Sequence, residues 1–264
     1  MNIIAVDIGN TNICVGLFLE GGEESITRAS GRSRAKVSDV IKSAWAKVPV
    51  SKSSKEKRRD GVIVVSSVKA EWTKMVRDMA EEELNEKVYV IGEEIPVPMP
   101  LWVDEPEKVG TDRIVAASAA YAVVEDAVVV ADFGTAVTID LVDSRGIFLG
   151  GVICPGFEMS AAALKSKTAQ LPRVKVSRPT TAYGKTTAAA INCGLYYSVI
   201  GTLEEIIRRY AEEIGRWPHT VITGEAAKLI KDDCSFIDSY VPDLVVKGIV
   251  LAYKKYLAGK ETGV

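Results

Sequence analysis

Two short stretches of the sequence share one pattern: Asp7-Ile8-Gly9-Asn10-Thr11 and Asp132-Phe133-Gly134-Thr135-Ala136. Each follows an apolar run, residues 2–6 (NIIAV) in the first case and 127–131 (AVVVA) in the second. A second apolar run follows each motif, and two such runs joined by a tight glycine-containing turn predict a β-hairpin. Because the same unit returns nearly half the chain later, the sequence predicts an internal duplication and two similar α/β domains.

After each hairpin, the spacing of apolar residues alternates between a helical period and a strand-like pattern. In the first half we expect helices at 37–45, 71–84 and 112–124 and strands at 61–66 and 87–91. In the second half we expect strands at 137–142, 147–152 and 220–223 and helices at 157–170, 186–214, 225–230 and 242–257. We place the domains at residues 1–115 and 116–264, with the C-terminal helix a candidate to pack back on the first domain.

Composition and charge narrow the classes of partner. The 264 residues include 33 Lys and Arg against 35 Asp and Glu, a net charge of −2, which disfavours a broad electrostatic surface for nucleic acid or anionic membrane. We expect the basic residues at 52–59 to lie in a solvated loop, although a nucleic-acid role remains an alternative. No apolar run is long enough to span a bilayer, and no signal peptide is evident. We predict a soluble cytoplasmic protein that binds a small molecule.

Cysteine and histidine usage excludes several kinds of site. The cysteines at 14, 154, 193 and 234 are too far apart for a close-spaced zinc motif or a disulfide scaffold, so we expect reduced thiols. His219 is the only histidine, which disfavours a Ser-His or Cys-His mechanism.

The two glycine turns are suited to binding phosphate. Consecutive backbone N–H groups at such a turn attract anions, and glycine leaves room for them. Asn10 and Thr11 add side-chain donors, and Asp7 is placed to hold Mg²⁺ against the same phosphates. The alternative for one motif alone is an ordinary hairpin turn, but its recurrence favours two turns that hold a nucleotide's phosphates from both sides of a cleft.

The stretch Gly110-Thr111-Asp112-Arg113 opens an apolar helix, with Thr111 as the expected N-cap. Phosphoryl transfer needs a carboxylate near the attacking hydroxyl and a cation for the acceptor, and Asp112 and Arg113 supply both. We expect Asp112 to be exposed and kept ionised by the helix N-terminus. The alternative is that Asp112 only favours the helix dipole and Arg113 forms a surface ion pair.

Two further glycine-containing stretches are weaker signals. Residues 150–156 predict a turn into a helix, and Thr223-Gly224-Glu225 ends a strand where a base or ribose could bind. Each is also typical of an ordinary turn.

These motifs, in this order, resemble those of the type III pantothenate kinases of the actin-like, acetate and sugar kinase superfamily. The resemblance extends over essentially the whole chain and includes Gly184-Lys185-Thr186-Thr187, Gly194 and residues 243–248. It implies two duplicated actin-like (ribonuclease H-like) ββαβα domains flanking a nucleotide cleft, assembled as a homodimer. The implied reaction is ATP-dependent phosphorylation of pantothenate to 4'-phosphopantothenate, the first step of coenzyme A synthesis.

The resemblance also implies roles for individual residues. Asp112 would be the general base. Asp7 would hold Mg²⁺, and Asp132 would hold a monovalent cation, K⁺ or ammonium. Nucleotide and phosphate would bind at Asp7, Gly9, Asn10, Thr11, Asn12, Gly134, Thr135 and Gly224. Pantothenate would bind at Gly110, Thr111, Arg113 and Thr187.

Three positions depart from the family pattern. Val103, beside Trp102, stands where tyrosine is usual, Thr186 where asparagine is common, and Glu225 where a second glycine is usual. These departures leave two alternatives open: an actin-like kinase of another small sugar or acid, and a non-catalytic regulator that binds nucleotide.

Overall fold

The computed structural model describes residues 1–51 and 58–262, and the side chains up to residue 260. Most of the predicted basic loop, residues 52–57, therefore lies outside the described residues. The chain divides into two compact units. Unit 1 contains residues 1–100, 105–119 and 243–264, and unit 2 contains residues 101–104 and 120–242.

Unit 1 is built on a five-stranded mixed sheet in the order β3-β2-β1-β4-β5. The central strand β1 is antiparallel to β2, its partner in the hairpin, and parallel to β4 on its other side. The near-continuous Ile and Val content of the central strands is typical of strands buried on both faces. The strand bounds are β1 (Ile3–Ile8), β2 (Asn12–Leu19), β3 (Gly22–Ser30), β4 (Val62–Ser67) and β5 (Val88–Val90).

Two helices cover one face of this sheet. Inward residues of α1 (Arg34–Lys47) and α2 (Ala70–Met79) form one core with Ile4, Val6 and Ile8 of β1. Because side chains alternate along a strand, Asp7 faces the other side of the sheet. A π-helical turn, Ala80–Leu84, follows α2, and the sheet is extended after it by β5.

The face of the sheet that carries Asp7 meets the C-terminal helix. This helix, α6 (Leu244–Thr262), contacts β1 and β4. Its Val246 approaches Gly16, which lies opposite Ala5 on the Asp7 side. Unit 1 also contains a 3₁₀ turn at Pro106–Lys108 and the first part of α3 (Thr111–Val124), and the boundary between the units falls within α3.

Unit 2 contains a second five-stranded sheet in the order β10-β9-β6-β7-β8. Three strands form an antiparallel meander, and β9 and β10 lie parallel to β6. The strand bounds are β6 (Val128–Phe133), β7 (Ala136–Val142), β8 (Phe148–Pro155), β9 (His219–Thr223) and β10 (Ser239–Tyr240). Its helices are α4 (Phe157–Lys167) and α5 (Thr187–Ile214), and a 3₁₀ turn spans Glu225–Leu229.

The two sheets have the same topology when the strands of each unit are counted in chain order. The first motif's Asp7 and the second motif's Asp132 each occupy the last position but one of the unit's first strand. The predicted duplication and α/β class are therefore confirmed.

Some predicted elements differ from those in the structure. The strand β3 is absent from the prediction because its residues (GEESITRAS) are mostly polar and exposed at a sheet edge. The predicted helix at 225–230 is a 3₁₀ turn, and the helix predicted at 157–170 ends at Lys167. Among the helices of the described residues, none combines the length and apolar character needed to cross a membrane.

Candidate active site

Asp7 lies in a row of residues that crosses the sheet of unit 1. Its cross-strand neighbours are Cys14 on β2 and Ser66 on β4. Burial raises the pKa of the Cys14 thiol to about 11; Arg28 opposes this shift and Asp7 adds to it. The thiol beside Asp7 therefore stays protonated near neutral pH and does not compete as a metal ligand.

The turn after β1 presents polar groups to solvent. The Gly9 N–H donates to the Asn12 carbonyl at 3.1 Å, which closes the turn. Asn10, Thr11 and Asn12 are all exposed. The predicted phosphate-binding residues of unit 1 are therefore accessible and follow directly after Asp7.

The start of α3 is tied to the end of β4 by the Thr111 hydroxyl. That oxygen lies 2.9 Å from Ser66 Oγ, accepts from the Ser67 N–H at 3.2 Å and lies 3.3 Å from the Ser67 carbonyl. Because Ser66 is the neighbour of Asp7 across the sheet, these contacts bring the helix start close to the end of β1. Ser66 and Ser67 were missed in the sequence, although two small polar residues at the end of an apolar strand were a usable signal.

The expectation that Thr111 caps α3 is wrong. The helix begins at Thr111, and the Gly110 carbonyl accepts from the Ile114 N–H at 3.4 Å, which makes Gly110 the N-cap. The Thr111 side chain is instead directed to Ser66 and Ser67. The Thr111 hydroxyl thus joins the start of α3 to the end of β4 instead of capping the helix.

The Asp112 carboxylate is more buried than expected. Burial raises its pKa above the usual value, while the Arg113 N–H, which donates to Asp112 Oδ1 at 2.8 Å, and the Arg113 charge oppose the shift. The expectation of an exposed carboxylate is therefore wrong, and the helix N-terminus does not lower the pKa of Asp112, because desolvation outweighs the local donors. A raised pKa makes Asp112 a stronger proton acceptor than an ordinary aspartate.

The corresponding turn of unit 2 is organised in a similar way. The Gly134 N–H donates to the Ala136 carbonyl at 3.0 Å, and the Thr135 carbonyl accepts from the Gly156 N–H at 3.1 Å. Gly134 and Thr135 are both exposed. The turn thus lies beside the residues that lead into α4.

Gly224 brings the end of β9 against Asp132. Its φ is +91°, and a Cβ at this position would lie 2.5 Å from Asp132 Oδ1 and 2.7 Å from the Phe133 backbone. Only glycine fits such a conformation and approach. Unit 2 therefore brings Asp132, the Gly134-Thr135 turn and Gly224 together, and Glu225 follows at an exposed position.

Thr187 occupies the first position of α5 and is exposed. The Thr186 side chain caps this helix by accepting from the Ala189 N–H at 3.2 Å. Threonine fulfils the same capping role that asparagine would, so the departure at 186 leaves the helix start intact.

Two other positions noted in the sequence are also in unit 2. The Trp102 side chain is 76% exposed, and the backbone N–H of Trp102 donates to the Phe148 carbonyl at 2.8 Å. His219 begins β9 and so lies at the opposite end of that strand from Gly224. Its ring is 3.4 Å from Ser239 Oγ, a long contact for an activated nucleophile.

A metal ion at these turns would need oxygen donors from bound substrate phosphates and water as well as from protein side chains. Among residues 1–51 and 58–262, no group of three or more His, Cys, Asp or Glu side chains is arranged to hold a metal. Mg²⁺ is commonly held by one or two carboxylates together with substrate phosphates and water. A single carboxylate at Asp7 beside the exposed polar turn after β1 fits that mode.

A duplicated α/β fold with a glycine turn at equivalent strand ends is expected for an actin-like fold, and structural comparison supports this fold. A conserved putative Baf family transcriptional activator from Campylobacter jejuni matches 97% of this chain and 99% of its own, at 18% identity and a TM-score of 0.61. A putative 2-dehydro-3-deoxygalactonokinase from Sinorhizobium meliloti matches 96% of each chain, at 13% identity and a TM-score of 0.57. MreB 5 of Spiroplasma citri bound to AMPPNP gives a TM-score of 0.50 at 11% identity over 100% of this chain and 99% of its own. These likenesses confirm the actin-like fold.

Sequence comparison identifies the family. The model of the type III pantothenate kinases matches residues 3–209. A type III pantothenate kinase of Syntrophotalea carbinolica is 34% identical over 255 residues, which cover 95% of this chain and 98% of that one. The enzyme of the same name from Moorella thermoacetica is 34% identical over 253 residues, covering 96% and 99%. The chain belongs to the type III pantothenate kinase family.

Proposed function

We propose that this chain transfers the γ-phosphoryl group of ATP to pantothenate with residues of its two glycine turns and of the start of α3. The family assignment makes the chain an enzyme, a kinase that phosphorylates pantothenate in coenzyme A synthesis. The observation that carries the residue assignment is the Asp112 carboxylate. Its pKa is raised by burial, and it follows a threonine whose hydroxyl is bonded to the cross-strand neighbour of Asp7.

ATP binds through its phosphates in this proposal. The exposed turn of unit 1, Gly9 to Asn12, and Gly134-Thr135 of unit 2 supply N–H and side-chain donors. Asp7 holds Mg²⁺, which neutralises charge on the phosphates. Gly224 lets the nucleotide approach the backbone at the end of β9.

Pantothenate binds at the start of α3 and at Thr187. The Arg113 guanidinium is suited to the substrate's carboxylate, and Gly110 and Thr111 shape the helix start against which it lies. The substrate's terminal hydroxyl oxygen attacks the γ-phosphorus, the bond from that phosphorus to the bridging oxygen of ADP breaks, and Asp112 accepts the hydroxyl proton. The products are 4'-phosphopantothenate and ADP.

A monovalent cation, K⁺ or ammonium, completes the proposed charge balance. A phosphate chain, a substrate carboxylate and aspartates leave excess negative charge, and Asp132 provides a carboxylate that binds the cation. The backbone carbonyls of the turn after Asp132 are oxygen donors of the kind that such an ion accepts. The cation supplies electrostatic stabilisation of the bound phosphates.

We also propose that the chain acts as a cytoplasmic homodimer. Several apolar side chains of unit 2 are exposed on successive elements, among them Ile153 on β8, Met159 on α4 and Tyr197 on α5. Exposed apolar groups of this kind favour burial between subunits. The mass of the purified protein measured by light scattering tests this part of the proposal.

A coupled assay of ADP release tests the function. The purified chain is supplied with ATP, Mg²⁺ and K⁺ and with pantothenate or one of a panel of small sugars and acids. We expect ADP release that depends on pantothenate. Release that depends instead on a sugar or another acid supports the alternative kinase, and the absence of ADP release with every acceptor tested supports the non-catalytic regulator.

A further inference from the structure

The segment 168–186 joins α4 to α5 without helix or strand, yet it is anchored at consecutive residues. Val176 is 8% exposed and belongs to the core of unit 2. The Ser177 N–H donates to Asn192 Oδ1 at 2.8 Å, and Asn192 Nδ2 donates to the Ser177 carbonyl at 3.0 Å. The Arg178 guanidinium forms an ion pair with the Asp233 carboxylate. This anchorage orients the chain that enters α5 at Thr187.

The Asp233 carboxylate has a second partner on α5. Its other oxygen, Oδ2, accepts from the hydroxyl of Tyr196, a side chain only 1% exposed. The same hydroxyl lies 2.9 Å from the Leu229 carbonyl, and with one proton it donates to one of the two acceptors at a time. Burial raises the pKa of the Tyr196 hydroxyl, and the neighbouring Asp233 carboxylate raises it further by a smaller amount. The hydroxyl therefore remains a donor.

Leu229 and Asp233 connect this network to the nucleotide side of unit 2. Leu229 ends the 3₁₀ turn that begins directly after Gly224. The Asp233 N–H donates to the Ile230 carbonyl at 2.9 Å, which fixes the carboxylate relative to that turn. Asp233 therefore contacts the segment before Thr187 through its carboxylate and the end of the turn after Gly224 through its backbone N–H, while the Tyr196 hydroxyl lies within hydrogen-bond distance of both the carboxylate and Leu229.

We infer that Asp233 is a positioning residue that links the segment preceding Thr187 to the 3₁₀ turn following Gly224. Through this link, ordering the conformation of the pantothenate-binding segment also orders the nucleotide-binding turn, and the reverse. This inference rests on the proposed roles of Thr187 and Gly224. It assigns to residues 178, 196 and 233 a part in substrate affinity that no motif in the sequence indicates.

Kinetics of matched variants test the link. Asp233→Asn and Arg178→Gln each remove the ion pair, and we expect KM to rise about threefold to tenfold for both pantothenate and ATP with kcat little changed. Arg178→Lys should restore most of the affinity because it keeps the charge. Glu205→Gln is the control, since Glu205 pairs with Arg208 and Arg209 on the same helix α5. KM values for both substrates equal to those of this control would overturn the inference.

Proteolysis gives a readout that needs no catalysis. The segment carries tryptic sites at Arg173, Lys175 and Lys185, all kept in Asp233→Asn. We expect trypsin to cut the segment faster in this variant, and ATP to slow cleavage in the wild type more than in the variant. Equal cleavage in the two proteins would contradict the link. If the cleavage rates differ as expected but the wild-type chain fails to phosphorylate pantothenate, the proposed function is contradicted and the link through Asp233 is not.

Discussion

Gly110 leaves the space that the Asp112 carboxylate occupies: a Cβ at position 110 would lie 2.5 Å from Asp112 Oδ1 and 3.3 Å from Val68 Cγ1. A side chain at the N-cap of α3 would therefore displace the carboxylate that follows it two residues later. In the proposed mechanism this contact sets where the proton acceptor lies.

Gly110→Ala should move the Asp112 carboxylate and lower kcat by about 10-fold to 100-fold, because a small displacement of a reacting group is costly. Steady-state kinetics with pantothenate would measure this loss. Gly201→Ala is the control, because a Cβ there meets nothing within 4 Å and Gly201 lies in the interior of α5. Equal kcat values for the two variants would show that the contact at Gly110 has no catalytic consequence.

Asp112→Asn should raise the melting temperature at pH 7. Burial raises the pKa of Asp112 in the folded protein, so the folded state binds the proton more tightly than the unfolded state. The ionised wild-type side chain is therefore destabilising above its folded pKa, and that penalty disappears as the pH falls below the unfolded value. Asparagine removes the charge and keeps an oxygen to accept from the Arg113 N–H.

Calorimetry from pH 7 down to about pH 4, near the usual aspartate pKa, would follow this difference. The melting temperatures of wild type and Asp112→Asn should converge as the pH falls. Glu71→Gln, a change in the first turn of α2, is the control and should show no such convergence. A variant less stable than wild type at pH 7 would contradict the burial of an ionised carboxylate.

Glu225→Gly should lower KM for ATP, because a carboxylate directly after Gly224 repels phosphate and occupies space where the family pattern has glycine. Glu225→Gln separates the two causes, since it removes the charge and keeps the size. If the charge dominates, the two variants should behave alike. An unchanged or higher KM for ATP in Glu225→Gly would place residue 225 outside the nucleotide site.

Activity should require K⁺ or ammonium, and Asp132→Ala should lose the response. Assays in Na⁺ or Tris buffer with K⁺ added stepwise would measure the dependence. Asp232→Asn, an exposed carboxylate of unit 2, is the control and should respond as the wild type does. Full activity without either cation, or a normal K⁺ response in Asp132→Ala, would contradict the assignment.

The duplication could be predicted because it is carried by local patterns: an apolar run ending at Asp7 or Asp132 and a glycine turn after each. The burial of Asp112 could not, because it depends on how α3 packs rather than on its own first turn. The Ser66 to Thr111 contact joins residues 45 positions apart. Contacts between residues so distant in the chain leave no local signal.

In the proposed mechanism, Asp112 accepts a proton during phosphoryl transfer to pantothenate. Formation of 4'-phosphopantothenate, followed by mass spectrometry in parallel with ADP release, tests it most directly in wild type and Asp112→Asn. We expect equal amounts of both products from the wild type and a rate about 10²-fold to 10⁴-fold lower in the variant. No phosphopantothenate from the wild type, or a variant that keeps more than about a tenth of the wild-type rate, would contradict the claim.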